Sequence, residues 1–189
     1  PPPPPPPHPP HTHNTTPPRT HCGSSGCTET GCGSVNVLIV YTLPAPRPQW
    51  VGNGFNVYPV FAGLAFTEAL SPWLMFDYAA PKEFGPSSKR RGVGQHPHRG
   101  FETVTIAFQG EIEHADSTGE SDTIRPGDVQ WMTAGAGISH AEMFPLLDQA
   151  KANVLDLFQI WLNLPAARKR ASPHFSMFWS DQVLSLIHI

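Results

Sequence analysis

The chain has 189 residues, 39% of them apolar and 10% aromatic, with a formal net charge of −3. That length holds one ordinary domain, or one domain plus a long tail. The small negative charge offers no basic surface for direct nucleic-acid binding or for an anionic membrane, and the sequence has no run of 18 apolar residues to span a bilayer.

Residues 1–50 read as a low-complexity tail. "PPPPPPPHPPHTHNTTPP" can form polyproline II but cannot bury a core, so disorder is expected. The tail holds His8, His11, His13 and His21 together with all three cysteines, Cys22, Cys27 and Cys32. Their even spacing is neither the paired CxxC of a zinc site nor a disulfide framework. The absence of cysteine from the remainder fits a reducing compartment. "VNVLIVYTL" (35–43) is apolar but too short to cross a membrane. Because the first residue is Pro1 rather than Met, a longer product is expected.

From residue 52 onward the pattern is strand-rich. "FNVYPVFAGLAF" (55–66) reads as one or two strands, and "PWLMFDYAAP" (72–81) as a buried strand ended by Pro81. "SSKRRGVG" (87–94) reads as a polar loop. "ETVTIAF" (102–108) alternates, with Val104, Ile106 and Phe108 on one face and Thr103, Thr105 and Ala107 on the other. A turn at Gly110, a short strand and a second turn at 117–119 follow. "TIRPGDVQWMT" (123–133) sets a Pro-Gly-Asp turn between two strands. "LLDQAKANV" (146–154) is compatible with a helix, and "LFQIWLNLP" (157–165) is a strand. Short strands at such regular spacing predict an all-β sandwich or barrel.

Two histidines at i and i+2, His96 and His98, stand in "GQHPHRGFETVTIAFQG" (94–110). On extended backbone, which Pro97 favours, both point to one face. Alone, such a pair is more often incidental. A second pair at the same spacing, His140 and Glu142 in "ISHAEM", changes this. Placed on strands facing each other across a barrel, the two pairs would surround one cation with three imidazoles and a carboxylate. Such a set suits iron, manganese, nickel, copper or zinc better than calcium or magnesium. Glu102 competes with Glu142 for the carboxylate position, because H-x-H-x3-E-x7-G resembles the first motif of the cupin superfamily. Arg99 reads as a surface charge, His114 in "EIEHAD" as an exposed strand residue, and Lys89–Arg91 and Arg168–Arg170 as solvated basic loops. Trp131, Met132, Phe101 and Phe108 are candidates for the apolar surroundings of a site, although such residues are more often plain core.

"HPHRGFETVT", "PGDVQWMTAGAGISHAEM" and "FQIWLNLPA" resemble the signature segments of the pirin family, a branch of the cupins. The resemblance runs from about residue 55 to about residue 183 and implies a cupin-type β-barrel (double-stranded β-helix, or jelly roll) over 52–184. It implies that His96, His98, His140 and Glu142 bind one metal ion, Fe(2+) or another divalent transition metal, which favours Glu142 over Glu102. Two activities are implied. One is quercetin 2,3-dioxygenase-type ring opening of a flavonol with dioxygen and release of carbon monoxide, with Glu142 also serving as general base. The other is an iron-dependent nuclear coregulator that binds a transcription-factor partner without turnover. A cytoplasmic or nuclear monomer is expected on either reading. Pirins usually carry two cupin domains. Here only the first is expected, with residues 185–189 expected not to match the fold.

Overall fold

The computed structural model describes residues 46–62 and 68–183. Of the tail expected over residues 1–50, residues 1–45 lie outside the described residues, as does the ending expected at 185–189, while residues 49 and 50 belong to a strand. Among the described residues eleven strands follow one another: β1 (Gln49–Val51), β2 (Phe55–Ala62), β3 (Trp73–Phe84), β4 (Arg91–His98), β5 (Phe101–Gln109), β6 (Ile112–Asp116), β7 (Ser121–Ile124), β8 (Val129–Thr133), β9 (Ile138–Phe144), β10 (Asn153–Asn163) and β11 (His174–Phe178). A 3-10 turn, Ala166–Arg168, precedes β11. No helix among the described residues is long and apolar enough to cross a membrane.

The strands form a seven-stranded sheet, in the order β1-β2-β3-β10-β5-β8-β11, and a four-stranded sheet, β4-β9-β6-β7. Every pairing is antiparallel. One core cluster joins Phe55, Val57, Ala79, Ala107, Leu155 and Leu157 of the larger sheet to Ile112, Ile124 and Phe144 of the smaller, so the sheets pack face to face. A second cluster of Met132, Ala134 and Ile138 is backed by Phe175. The result is the all-β barrel expected from the strand spacing. β1 lies ahead of the expected domain start at residue 52 and is held by its pairing with β2.

Several local expectations change. The polar segment 87–94 is a loop only up to Arg90; Arg91 begins β4, because its neighbours pair with β9. β3 runs on through Pro81 to Phe84. Ala79 pairs with Leu157 and Lys82 with Leu155, so Pro81 sits opposite a bulge at Asp156, where its missing N–H breaks no regular ladder. Residues 145–152 form no helix. The Asp148 carboxylate accepts hydrogen bonds from the Ala150 and Lys151 N–H groups, and Asn153 Oδ1 accepts one from the Asp148 N–H, which closes a turn in place of a helical one. The Pro-Gly-Asp turn connects strands of different sheets, β7 and β8.

Gly92 fixes β4 against β9. Its φ is 145°, and a Cβ there would lie 2.2 Å from the Glu142 carbonyl oxygen and 2.7 Å from Met143 Cα. Gly92→Ala is therefore expected to destabilise the domain by about 3 kcal/mol, through backbone strain and overpacking together. A shift of the denaturant midpoint at constant slope measures this; an unchanged midpoint would show that the two strands separate freely.

Candidate metal centre

Strand β9 alternates without exception. Ile138, His140, Glu142 and Phe144 are buried, and the residues between them are partly exposed. Hydrogen-bonded beside it, β4 places His96 directly opposite His140. The two histidine-bearing segments are thus neighbours in one sheet, not strands facing each other across the barrel as the spacing alone had implied. Adjacent antiparallel strands bring opposed side chains to roughly 5 Å, which is closer than opposite barrel walls allow. A register shift between Val93 and His96 turns the HPH segment so that both its histidines join His140.

The three rings form a nearly equilateral triangle, with centroids 4.8 Å (His96–His98), 4.4 Å (His96–His140) and 4.9 Å (His98–His140) apart. One ring nitrogen from each lies within 4.8 Å of the others. Bonds of about 2.1 Å to a transition-metal ion would draw such a set together. Burial pushes the His140 ring far below its ordinary pKa, and the charges of His96, His98 and His114 add to this. Burial, then the charge of His96, pushes His98 down to about 4. Neutral imidazoles with free lone pairs are the form that binds metal. His96 Nδ1 lies 2.9 Å from the Gly94 carbonyl oxygen, and that acceptor assigns the proton to Nδ1 and leaves Nε2 as the lone pair. Among the described residues, His140 Nε2 is buried without a hydrogen-bond partner. A buried orphan nitrogen beside two further imidazoles fits a metal ion. The donor set, three imidazoles with no thiolate, suits zinc, copper, iron or nickel.

Glu142 is on the same inner face but outside the three-histidine group. Its Oε1 accepts a 2.9 Å hydrogen bond from Gln159 Nε2, which also donates to Thr105 Oγ1 at 3.3 Å. Burial pushes the Glu142 carboxyl up, against the opposing effects of Gln159, His96 and His114. Glu102, the rival carboxylate, lies on β5 of the larger sheet, where it accepts a 2.9 Å hydrogen bond from Thr133 Oγ1 of the adjacent strand β8. Its parity along β5 is opposite to that of Thr105, which faces the cavity, so it points away from the histidines.

A cavity of about 340 Å³ lies beside the histidines. His96, His98 and Glu142 line one wall; Asp77, Gln159 and Trp161 line the other. Trp161 packs against His98 with 5.0 Å between ring centroids. Of the apolar candidates, Trp131 and Phe108 are exposed, at 36% and 47%, and do not line this cavity. They share the outward parity of their strands, while Thr103 and Thr105 face inward. Phe101 packs against His98 at 5.1 Å. Arg99 is exposed and stands outside the histidine group.

Three residues of the site escaped the sequence reading. His114 is not exposed: it is buried at 2%, with Nδ1 3.3 Å from His140 Nδ1. Its parity with Ile112 was the available signal, masked by the charged residues around it. Asp77 and Gln159 are each a polar residue within an apolar strand, a pattern that costs free energy unless the polar group finds a hydrogen-bond partner.

A family model described as Pirin matches residues 54–162. A Pseudomonas aeruginosa protein named "Putative quercetin 2,3-dioxygenase" is 51% identical over 127 residues, covering 67% of this chain and 44% of that protein. A "Pirin-like protein" of Caulobacter vibrioides is 40% identical over 121 residues, covering 64% of this chain and 42% of the relative. Among solved structures, a quercetin 2,3-dioxygenase from Acinetobacter baumannii superposes with a TM-score of 0.69 at 45% identity, covering 72% of this chain and 48% of that one. The chain thus spans less than half the length of each of these relatives. With a family match over more than half of its residues and this two-sheet barrel around the histidines, the chain belongs to the pirin family of the cupin superfamily.

Proposed function

We propose that this domain holds one divalent metal ion, Fe(2+) in the native protein, and that the protein it belongs to opens flavonol rings in the manner of a quercetin 2,3-dioxygenase. The observation that carries this reading is the convergence of His96, His98 and His140 at one end of a cavity whose other groups are suited to a polyhydroxylated aromatic. When bound, the metal supplies Lewis acidity toward a substrate hydroxyl and a place for dioxygen. The protein's own groups do the rest. His96, His98 and His140 hold the ion. Glu142, buried and held by Gln159, serves as a fourth ligand or takes the hydroxyl proton. Asp77 and Trp161 line the cavity, and each has a buried atom without a partner among the described residues, Asp77 Oδ1 and Trp161 Nε1; these would offer one acceptor and one donor to substrate hydroxyl and carbonyl groups. Val57, Val93 and Leu157 supply apolar walls, and the volume falls in the range of about 300–1,000 Å³ of small-molecule sites.

Quercetin added aerobically to the iron-loaded chain is expected to lose its flavonol absorbance and release carbon monoxide. Quercetin left intact by protein carrying one iron per chain would remove the enzyme reading and leave the iron-dependent protein-binding role. The carboxylate is tested separately. Glu142→Gln is expected to weaken metal binding by at least about tenfold, the scale on which groups around a metal act, whereas Glu102→Gln leaves it unchanged. The reverse order would return the ligand role to Glu102.

A further inference from the structure

A fourth imidazole stands behind the triad. β6 lies beside β9, with His114 opposite Glu142 and Asp116 opposite His140. His114 presents Nδ1 to His140 Nδ1 at 3.3 Å and Nε2 to Asp116 Oδ2 at 3.0 Å. The side chains of His114 and Asp116 are both fully buried. Asp116 Oδ1 accepts two further hydrogen bonds, from the Thr118 N–H at 2.7 Å and from Thr118 Oγ1 at 2.6 Å. Phe175 packs edge-on against the His114 ring at 4.8 Å. His114 itself is not one of the three histidines grouped to hold an ion.

Hydrogen counting gives this chain a direction. Two ring nitrogens facing each other at this distance share one proton, so one donates and the other accepts. The Asp116 carboxylate only accepts, so His114 Nε2 must carry its proton. In a neutral ring, His114 Nδ1 is then the lone pair. His140 must therefore donate from Nδ1, and its lone pair is left on Nε2, the buried atom without a partner. Every side-chain polar atom in the series Asp116–His114–His140 except His140 Nε2 is satisfied in this one arrangement.

We propose that Asp116 and His114 form a directional hydrogen-bond relay that locks His140 in its Nδ1–H tautomer and aims the Nε2 lone pair at the metal position. Both are positioning residues that touch neither metal nor substrate. The relay needs no metal to exist; only its effect on affinity rests on the metal reading above. Partners of this kind around a metal-binding histidine are typically worth about 10–100-fold in affinity.

Asp116→Asn reverses the polarity at constant shape. The Thr118 N–H keeps the asparagine carbonyl oxygen on its own side, so the amide NH2 faces His114 Nε2 and donates to it. His114 must then carry its proton on Nδ1, and His140 is forced to Nε2–H, its lone pair turned away from the metal. His114→Gln preserves the direction, because its carbonyl accepts from His140 while its amide donates to Asp116. His114→Leu removes the acceptor.

The test uses the full chain. Nitrogen-15 NMR of the metal-free protein reads the His140 tautomer, and zinc titration against a competing chelator reads affinity. Expected results are Nδ1–H in wild type and His114→Gln, Nε2–H in Asp116→Asn, and zinc affinity lowered by about 10–100-fold in Asp116→Asn and His114→Leu but restored in His114→Gln. Unchanged tautomer and affinity in Asp116→Asn would overturn the relay while the metal site stands. A tautomer switch in a protein that binds no zinc would uphold the relay and overturn the metal reading. Should Asp116→Asn fail to fold, the contrast between His114→Gln and His114→Leu decides. Equal zinc losses in those two would reduce His114 to a packing role.

Discussion

Replacing His140 by alanine is expected to abolish metal retention by the folded chain. Apparent binding free energies for a complete structural zinc site run at about 10–16 kcal/mol. One ligand of three or four is then worth roughly 3–5 kcal/mol, on the order of a hundred- to a thousandfold or more in affinity. His140 should lie at the severe end, because it is 1% exposed and its Nε2 has no other partner. The effect on the metal-free fold is smaller, since a lost ring leaves a cavity but also removes an unpaired buried nitrogen. Thermal unfolding with and without zinc separates the two contributions. At zinc a hundredfold above its Kd, wild type gains about 2.7 kcal/mol, and His140→Ala gains none. Equal stabilisation of both proteins would place the metal elsewhere.

The second large effect concerns Asp77. Burial pushes its carboxyl from 3.8 up to about 6, and Oδ1 finds no partner in the cavity wall. The folded state therefore binds the Asp77 proton more tightly than the unfolded state does. Asp77's contribution is most favourable below pH 4 and is lost as the pH rises through 6, by up to about 3 kcal/mol at 1.36 kcal/mol per pKa unit. His98, lowered to about 4, acts in the opposite sense, because the unfolded chain takes up its proton first on acidification. The difference between wild type and Asp77→Asn cancels the histidines. In metal-free protein, Asp77→Asn is expected to be more stable at pH 7.5, with its advantage shrinking toward pH 4. Parallel pH profiles would show that Asp77 is solvated or paired. If a ligand hydroxyl is what compensates this buried carboxylate, the same substitution should also weaken quercetin binding.

What the sequence made legible follows local periodicity. The alternation of β9 put His140 and Glu142 on one face, and His96 and His98 shared a face for the same reason. Partnership between strands was not legible. The bulge at residues 94 and 95 and the pairing of β4 with β9 depend on contacts more than 40 residues apart in sequence. Parity did not say which face of β5 turns inward, and Thr103 and Thr105 face the cavity side where Val104 and Phe108 were the more apolar choice. His114 was misread because Glu113 and Asp116 made its strand look solvated, whereas Asp116 is the buried partner that keeps the ring in place. The helix with which residues 146–154 are compatible does not form, because Asp148 satisfies the local N–H groups through its own side chain.

X-ray absorption on the metal-loaded full chain tests the metal centre most directly. One ion per chain is expected, with three imidazole nitrogens in its first shell and one of them lost in His96→Ala. Retention of the same histidine shell in His96→Ala, or a shell without imidazole, would contradict a centre built from His96, His98 and His140.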